Sequence, residues 1–155
     1  MNELNKRFLI KTESDMRTLA KKLAEASFAG EFIALFGGLG AGKTAFVKGF
    51  CAHFDIEEVS SPTFSIVKHY DGGEVRIDHF DCYRIDDADE LMAIGFEEYL
   101  YSESIVLMEW SENVLDALPE DRIEIRISGS GDEARDVELA SFGAVYDAVI
   151  EGITL

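Results

Sequence analysis

The sequence predicts an α/β fold: a mixed parallel and antiparallel central sheet flanked by helices. Three observations predict it. The run FIALF (32–36) is continuously apolar and bounded by glycines, as a strand buried on both faces reads. It feeds a helical stretch, KTAFVKGFCAHF (43–54), through the glycine-rich GGLGAG. Two pairs of strand-like segments then fall around turn residues, which adds antiparallel hairpins to the βα unit.

In chain order, RFLIKT (7–12) reads as a short strand, and Ser14 is a candidate N-cap for the helix after it. Met16, Leu19, Leu23 and Ala26 recur there at helical spacing, and Gly30 can end the helix. After the glycine loop and its helix, EVSSPTF (58–64) reads as a loop, because Pro62 disfavours helix at Ser61. SIVKHY and VRIDHF flank the Asp-Gly turn of DGG and form a predicted hairpin. DDADELMAI (86–94) is a short helix with an acidic first turn, which suits the helix dipole. SIVLME (104–109) is a second apolar strand, and SENVLDAL (111–118) a helix starting at Ser111, with Pro119 past its end. RIEIRIS (122–128) and RDVELAS (135–141) alternate as another hairpin, and FGAVYDAVIEGI closes as an amphipathic helix.

With 155 residues, 47% of them hydrophobic, and neither a linker nor a low-complexity run, one domain over 1–155 is expected. The formal net charge of −17 repels phosphate backbones and acidic lipid, so unaided nucleic-acid binding and docking on an acidic lipid surface are not expected. Cys51 and Cys82 form no CxxC and no disulfide framework. The opening MNELNKRFLIKTES lacks a signal-peptide core, and no apolar run reaches the ~18 residues of a membrane span. A soluble protein of the cytoplasm is expected.

Residues Gly37-Gly38-Leu39-Gly40-Ala41-Gly42-Lys43-Thr44 match G-x-x-x-x-G-K-[ST], the P-loop, in the strand-to-helix context it requires. Glycines let backbone N–H groups turn inward on a phosphate, and the helix beginning near Gly42 adds its positive end. Lys43 can reach β- and γ-phosphates, and the Thr44 hydroxyl can coordinate magnesium. The expected fold is therefore a P-loop NTPase three-layer sandwich. Such folds need an acidic group near the metal, and two candidates stand at strand ends, Glu109 after IVLM and Asp81 after VRIDHF. Which of them touches the metal stays open. Thr63, in the loop after the P-loop helix, is a candidate γ-phosphate sensor.

The segments GGLGAGKTAFVKGF, VSSPTFSIV, HFDCYRI, IGFEEYL and VLMEWSENV occur in that order over about residues 30–118. Together they resemble the TsaE (YjeE) family of small bacterial P-loop ATPases. The resemblance implies ATP and Mg2+ as cofactors, and a role in forming threonylcarbamoyladenosine on tRNA. In that family the ATPase binds a TsaB–TsaD pair and its hydrolysis cycle resets that pair, which alone would hold the tRNA. Carried over by motif, residues 38–45 (Gly38, Leu39, Gly40, Ala41, Gly42, Lys43, Thr44, Ala45) bind nucleotide, with Thr63 as switch threonine and Trp110 beside the nucleotide. Lys43, Asp81 and Glu109 form the catalytic set, and Thr44, Asp81 and Glu109 the metal set. Gly38 departs from the acidic or polar residue expected there.

A P-loop small-molecule kinase is the main alternative, and a nucleotide switch with incidental hydrolysis the second. GTP is disfavoured because no N-K-x-D motif follows a strand. In HFDCYR (79–84), strand alternation sends His79 and Asp81 one way and Cys82 the other, which makes a poor zinc set. Asp81 suits a hard, oxygen-bound magnesium, with His79 positioning the strand end and Cys82 packing.

Overall fold

The computed structural model describes residues 4–62 and 65–155. Seven strands form one sheet: β1 (Asn5–Ile10), β2 (Phe32–Phe36), β3 (Val67–Asp71), β4 (Arg76–Asp81), β5 (Ile105–Glu109), β6 (Arg122–Ser128) and β7 (Arg135–Phe142). Their order is β1-β7-β6-β2-β5-β4-β3. The four inner strands, β6, β2, β5 and β4, run parallel. The flanking β3, β7 and β1 pair antiparallel. The hairpins expected around DGG and GSGDEA are thus the two antiparallel margins of a parallel core.

The helices are α1 (Glu13–Glu25), α2 (Lys43–Ala52), α3 (Ala88–Ala93), α4 (Phe96–Leu100) and α5 (Ala144–Glu151), with a 3₁₀ segment over Ser111–Ala117. Strand alternation splits the core in two. Ile33 and Leu35 of β2 join Leu107 and Ile125 in packing against α1, α2 and α5. Phe32, Ala34 and Phe36 join Val106, Met108 and Phe80 against α3, α4 and the 3₁₀ segment. Every residue of β2 and β5 is therefore buried, which is why both read as unbroken apolar runs. The result is the three-layer α/β sandwich expected.

Three local readings are corrected. The N-cap of α1 is Thr12, whose extended backbone lets its side-chain oxygen accept from the Asp15 N–H at 3.0 Å; Ser14 lies inside the helix. That helix stops at Glu25 with Ala26 as its cap, and Gly30 instead carries a left-handed turn into β2. The helix expected over 111–118 is a 3₁₀ segment interrupted at Val114 (φ −136°, ψ 36°). Val114 is buried in the second core, and the kink is what seats it there.

Helix α2 lies against α1 at Gly49. A Cβ there would stand 2.8 Å from the Arg17 Cα and 3.1 Å from the Ala20 Cβ. Gly49→Ala is expected to destabilise by roughly 1–3 kcal/mol through overpacking. That outweighs the ~1 kcal/mol gain in helix propensity, and chemical denaturation measures the difference.

At the opposite end of β2 from the glycine loop, Glu31 is fully buried, with no hydrogen-bond partner for either carboxylate oxygen among the described residues. Burial pushes its pKa from 4.5 up to about 8, against a smaller lowering by its backbone contact with Phe28. The folded state thus binds the proton more tightly than the unfolded chain. The associated stability is complete below pH 4.5 and is lost as pH rises toward about 8. Relative to Glu31→Gln, the native protein should lose about 1.4 kcal/mol of unfolding free energy per pH unit across that window. Parallel denaturation curves of the two proteins would show it.

Candidate functional site

The parallel strands end along one edge of the sheet, and the expected site residues stand there. β2 ends at Phe36 and turns at once through residues 37–42 into α2. A Cβ on Gly37 would meet the Ile127 carbonyl oxygen at 2.8 Å, so this first step requires glycine. Gly40 and Gly42 adopt left-handed backbone (φ 73° and 112°), and Gly42 caps α2 without a side chain. The N-terminus of α2 therefore opens toward the loop, as a phosphate cradle requires. Side-chain space is vacant at Gly38 and Gly40, which leaves the concave side clear.

A cleft of about 390 Å³ lies over this loop. It is lined by residues 38–44 and by Ser61, Asp81, Tyr83, Glu109 and Trp110. Asp81 and Glu109 are register partners on adjacent parallel strands, which sets the two carboxylates side by side. Asp81 accepts from the Ser61 hydroxyl at 2.6 Å and from the Tyr83 N–H at 3.0 Å, so it caps the turn after β4 while walling the cleft. Glu109 is 3% exposed, and its Oε2 lies 2.5 Å from His79 Nε2.

Lys43 is folded back onto its own loop. Its Nζ donates to the Gly37 and Gly38 carbonyls and lies 3.9 Å above the Trp110 ring. Burial lowers its pKa, opposed by the nearby carboxylates of Glu112, Glu109 and Asp81. Glu112 also accepts from the Gly37 N–H at 3.2 Å. Trp110 holds a left-handed backbone (φ 58°), a costly conformation for a residue with a Cβ, and its ring also contacts Tyr83 at 4.9 Å.

Of the site residues expected from sequence, Gly38 through Thr44, Asp81, Glu109 and Trp110 share this one cleft. Ala45 lies instead on a second cleft of about 490 Å³ on the other side of the loop, which shares Gly40, Ala41, Gly42 and Thr44 with the first. Its far wall is Thr12 and Glu13 of α1 and the hairpin turn at 131–135, with the exposed Lys48 at its rim. Thr63 lies outside the described residues. Both cysteines are buried, with thiols pushed up to about 12 by burial, and Cys82 packs in the second core. His69 is a half-exposed strand residue paired to buried Asp78.

Sequence reasoning missed Arg135. Its guanidinium donates to the Ala41 carbonyl at 2.9 Å, to Gly40 at 3.1 Å and to Gly131 at 3.0 Å. In a trans peptide the N–H opposes the C=O, so holding the Ala41 carbonyl outward turns the Gly42 N–H to the other side. No local pattern marks this arginine; the contact spans most of the chain.

A seven-stranded α/β sandwich with a strand, a glycine loop of G-x-x-x-x-G-K-T sequence and a helix at its centre has the architecture of a P-loop protein. The family model described as "Threonylcarbamoyl adenosine biosynthesis protein TsaE" matches residues 10–137. The chain belongs to the TsaE family. It is 35% identical over 141 residues to the tRNA threonylcarbamoyladenosine biosynthesis protein TsaE of Bacillus subtilis, covering 90% of this chain and 88% of that one. With the Haemophilus influenzae protein of the same name it shares 37% identity over 136 residues, covering 84% and 85% respectively. The crystal structure of Bacillus subtilis YdiB superposes with a TM-score of 0.79 at 30% identity, over 97% of this chain and 93% of that one.

Because Lys43 Nζ lies 3.9 Å over Trp110, the sole tryptophan, a nucleotide that draws Lys43 off the ring should change the protein's indole emission. The change should be absent in Lys43→Ala, which fluorescence titration with ATP or ADP would test.

Proposed function

We propose that this chain binds and hydrolyses ATP with magnesium and that the cycle resets a TsaB–TsaD pair during threonylcarbamoyladenosine formation on tRNA. The observation that carries the reading is the convergence of the loop 38–44, Asp81 and Glu109 on one cleft, in a member of the TsaE family. The relatives' names supply the tRNA modification; the cleft supplies the chemistry.

The donor set fits a phosphate-borne hard cation. Thr44, Asp81 and Glu109 offer oxygen ligands only. Among the described residues no three His, Cys, Asp or Glu side chains gather to hold a metal by themselves, so phosphate oxygens would complete the shell. Magnesium supplies neutralising charge between β- and γ-phosphates. The N–H groups of the loop bind the phosphate chain, and Lys43 exchanges the Gly37 and Gly38 carbonyls for phosphate oxygens. Thr44 and one carboxylate would hold the metal, and the other carboxylate would orient the attacking water. The nucleoside extends into the cleft between Thr12 and Arg135, since that cleft shares Thr44 and the loop glycines with the first. Thr63 remains the expected γ-phosphate sensor and Trp110 the aromatic beside the nucleotide.

Three carboxylates act on Lys43, so the cleft is hostile to a bare polyphosphate. Chelating magnesium should therefore remove most of the ATP affinity rather than hydrolysis alone. With a net charge of −17, tRNA contact is left to the partners, and the cytoplasm is the expected location. Among the described residues no helix is long and apolar enough to cross a membrane.

The test is ATP hydrolysis and tRNA modification with TsaB, TsaD and tRNA present. Lys43→Ala and Glu109→Ala should each lower turnover by about 10²-fold or more. Unchanged hydrolysis in either would remove the site assignment. Failure to capture TsaB–TsaD with ATP, with ADP and without nucleotide would remove the role, and phosphorylation of a metabolite without partners would replace it with a kinase.

A further inference from the structure

The proposed chemistry leaves unused a buried imidazole that touches it. His79 on β4 is fully buried, and its Nε2 lies 2.5 Å from Glu109 Oε2. A carboxylate only accepts, so Nε2 carries the proton. On the other side of the ring, Nδ1 lies 3.1 Å from the Tyr70 hydroxyl of β3. The same hydroxyl lies 3.2 Å from the Ser60 carbonyl, so its one proton is shared between Nδ1 and that carbonyl and serves one of them at a time. Burial raises the Tyr70 pKa, with Cys51 and Glu109 adding to it, so the phenol keeps its proton. A chain of polar contacts thus runs from the loop at Ser60, across β3 and β4, to Glu109 at the end of β5, with the Tyr70 hydroxyl as its pivot.

The next residue of that loop, Ser61, donates to Asp81 at 2.6 Å. Two consecutive loop residues are therefore tied to the two site carboxylates, one directly and one through two buried side chains. A core histidine needs only some partner for each nitrogen. Here one nitrogen is spent on the carboxylate of the cleft and the other on the loop that borders it. In a site closed to water such charge-assisted bonds hold direction as well as distance.

We propose that His79 and Tyr70 are positioning residues for Glu109, fixing its carboxylate at the cleft and linking it to the loop at 60–61, so that movement of the loop is transmitted to Glu109. The inference rests on the ATPase reading above. Neither residue touches the phosphate cradle, so a loss of kcat is expected whichever carboxylate holds the metal, and KM for ATP rises with it only where Glu109 is the metal ligand.

His79→Gln sets an amide nitrogen near the place of Nε2 and keeps the donor to Glu109; His79→Asn sets it near Nδ1 and loses that donor. With the full complex, His79→Asn should lower kcat by about 10–100-fold, the usual cost of losing a group that orients a metal ligand. His79→Gln should stay near wild type, and Tyr70→Phe should lower kcat. Equal kcat in the Gln and Asn variants, or a change confined to KM, would overturn the proposal. Lys43→Ala run alongside separates the two levels: if hydrolysis does not depend on Lys43, the ATPase reading fails. The contact is then read without turnover, in protein labelled with ¹⁵N-histidine. An exchange-protected Nε2 proton that disappears in Glu109→Ala and shifts in Tyr70→Phe supports the linkage, and its absence in the native protein overturns it.

Discussion

Parallel pairing of β2 between β5 and β6 is the constraint on which the molecule depends. Parallel neighbours cannot be joined by a tight turn, so each crossover must carry the chain over a sheet face, and the crossovers bury both faces. Parallel strands also finish on the same side. Phe36, Glu109 and Asp81 each close a strand, and the segment after each of these residues lies along one rim. A glycine loop, two carboxylates and a tryptophan from distant parts of the chain meet there for that reason alone. The apolar runs that drive the pairing are thus the same residues that place the polar site.

Charge at that rim is arranged in a dispute that a ligand can resolve. Lys43 is drawn toward its own loop carbonyls and an indole face while three carboxylates surround it. Its burial opposes the charged form, and the carboxylates support it. Such a lysine is held in place without being strongly satisfied, which suits a group that has to change partners. The left-handed backbone at Trp110 stands beside that lysine, so a strained residue borders the cleft.

Much of this was legible because it is local. Burial on both faces makes FIALF and IVLM unbroken apolar runs, alternation reveals the two hairpins, and the P-loop declares itself by spacing. What was not legible depends on contacts across the chain. Thr12 and Ser14 carry the same capping chemistry, and only the extended backbone after β1 selects Thr12. The kink at Val114 follows from seating that side chain in a core built by other elements. Glu31 reads as a strand flank, yet its carboxylate ends up sealed in with no hydrogen-bond partner among the described residues. Within the site, Asp81 and Glu109 could be named as strand-end carboxylates, but nothing in the sequence said that His79 reaches one and Ser61 the other.

Arg135 has a consequence for how this protein can vary. Hairpin turns at a sheet margin ordinarily accept extra residues, because nothing else depends on their length. Here the turn between β6 and β7 is clamped to the carbonyls of Gly40 and Ala41 through one guanidinium. Arg135 itself is fixed by its pairing with Ile10, but its guanidinium is also held by the Gly131 and Glu133 carbonyls of the turn; an insertion there would remove those contacts, so this turn is under a length restriction that its exposure and its Gly-Ser-Gly composition conceal.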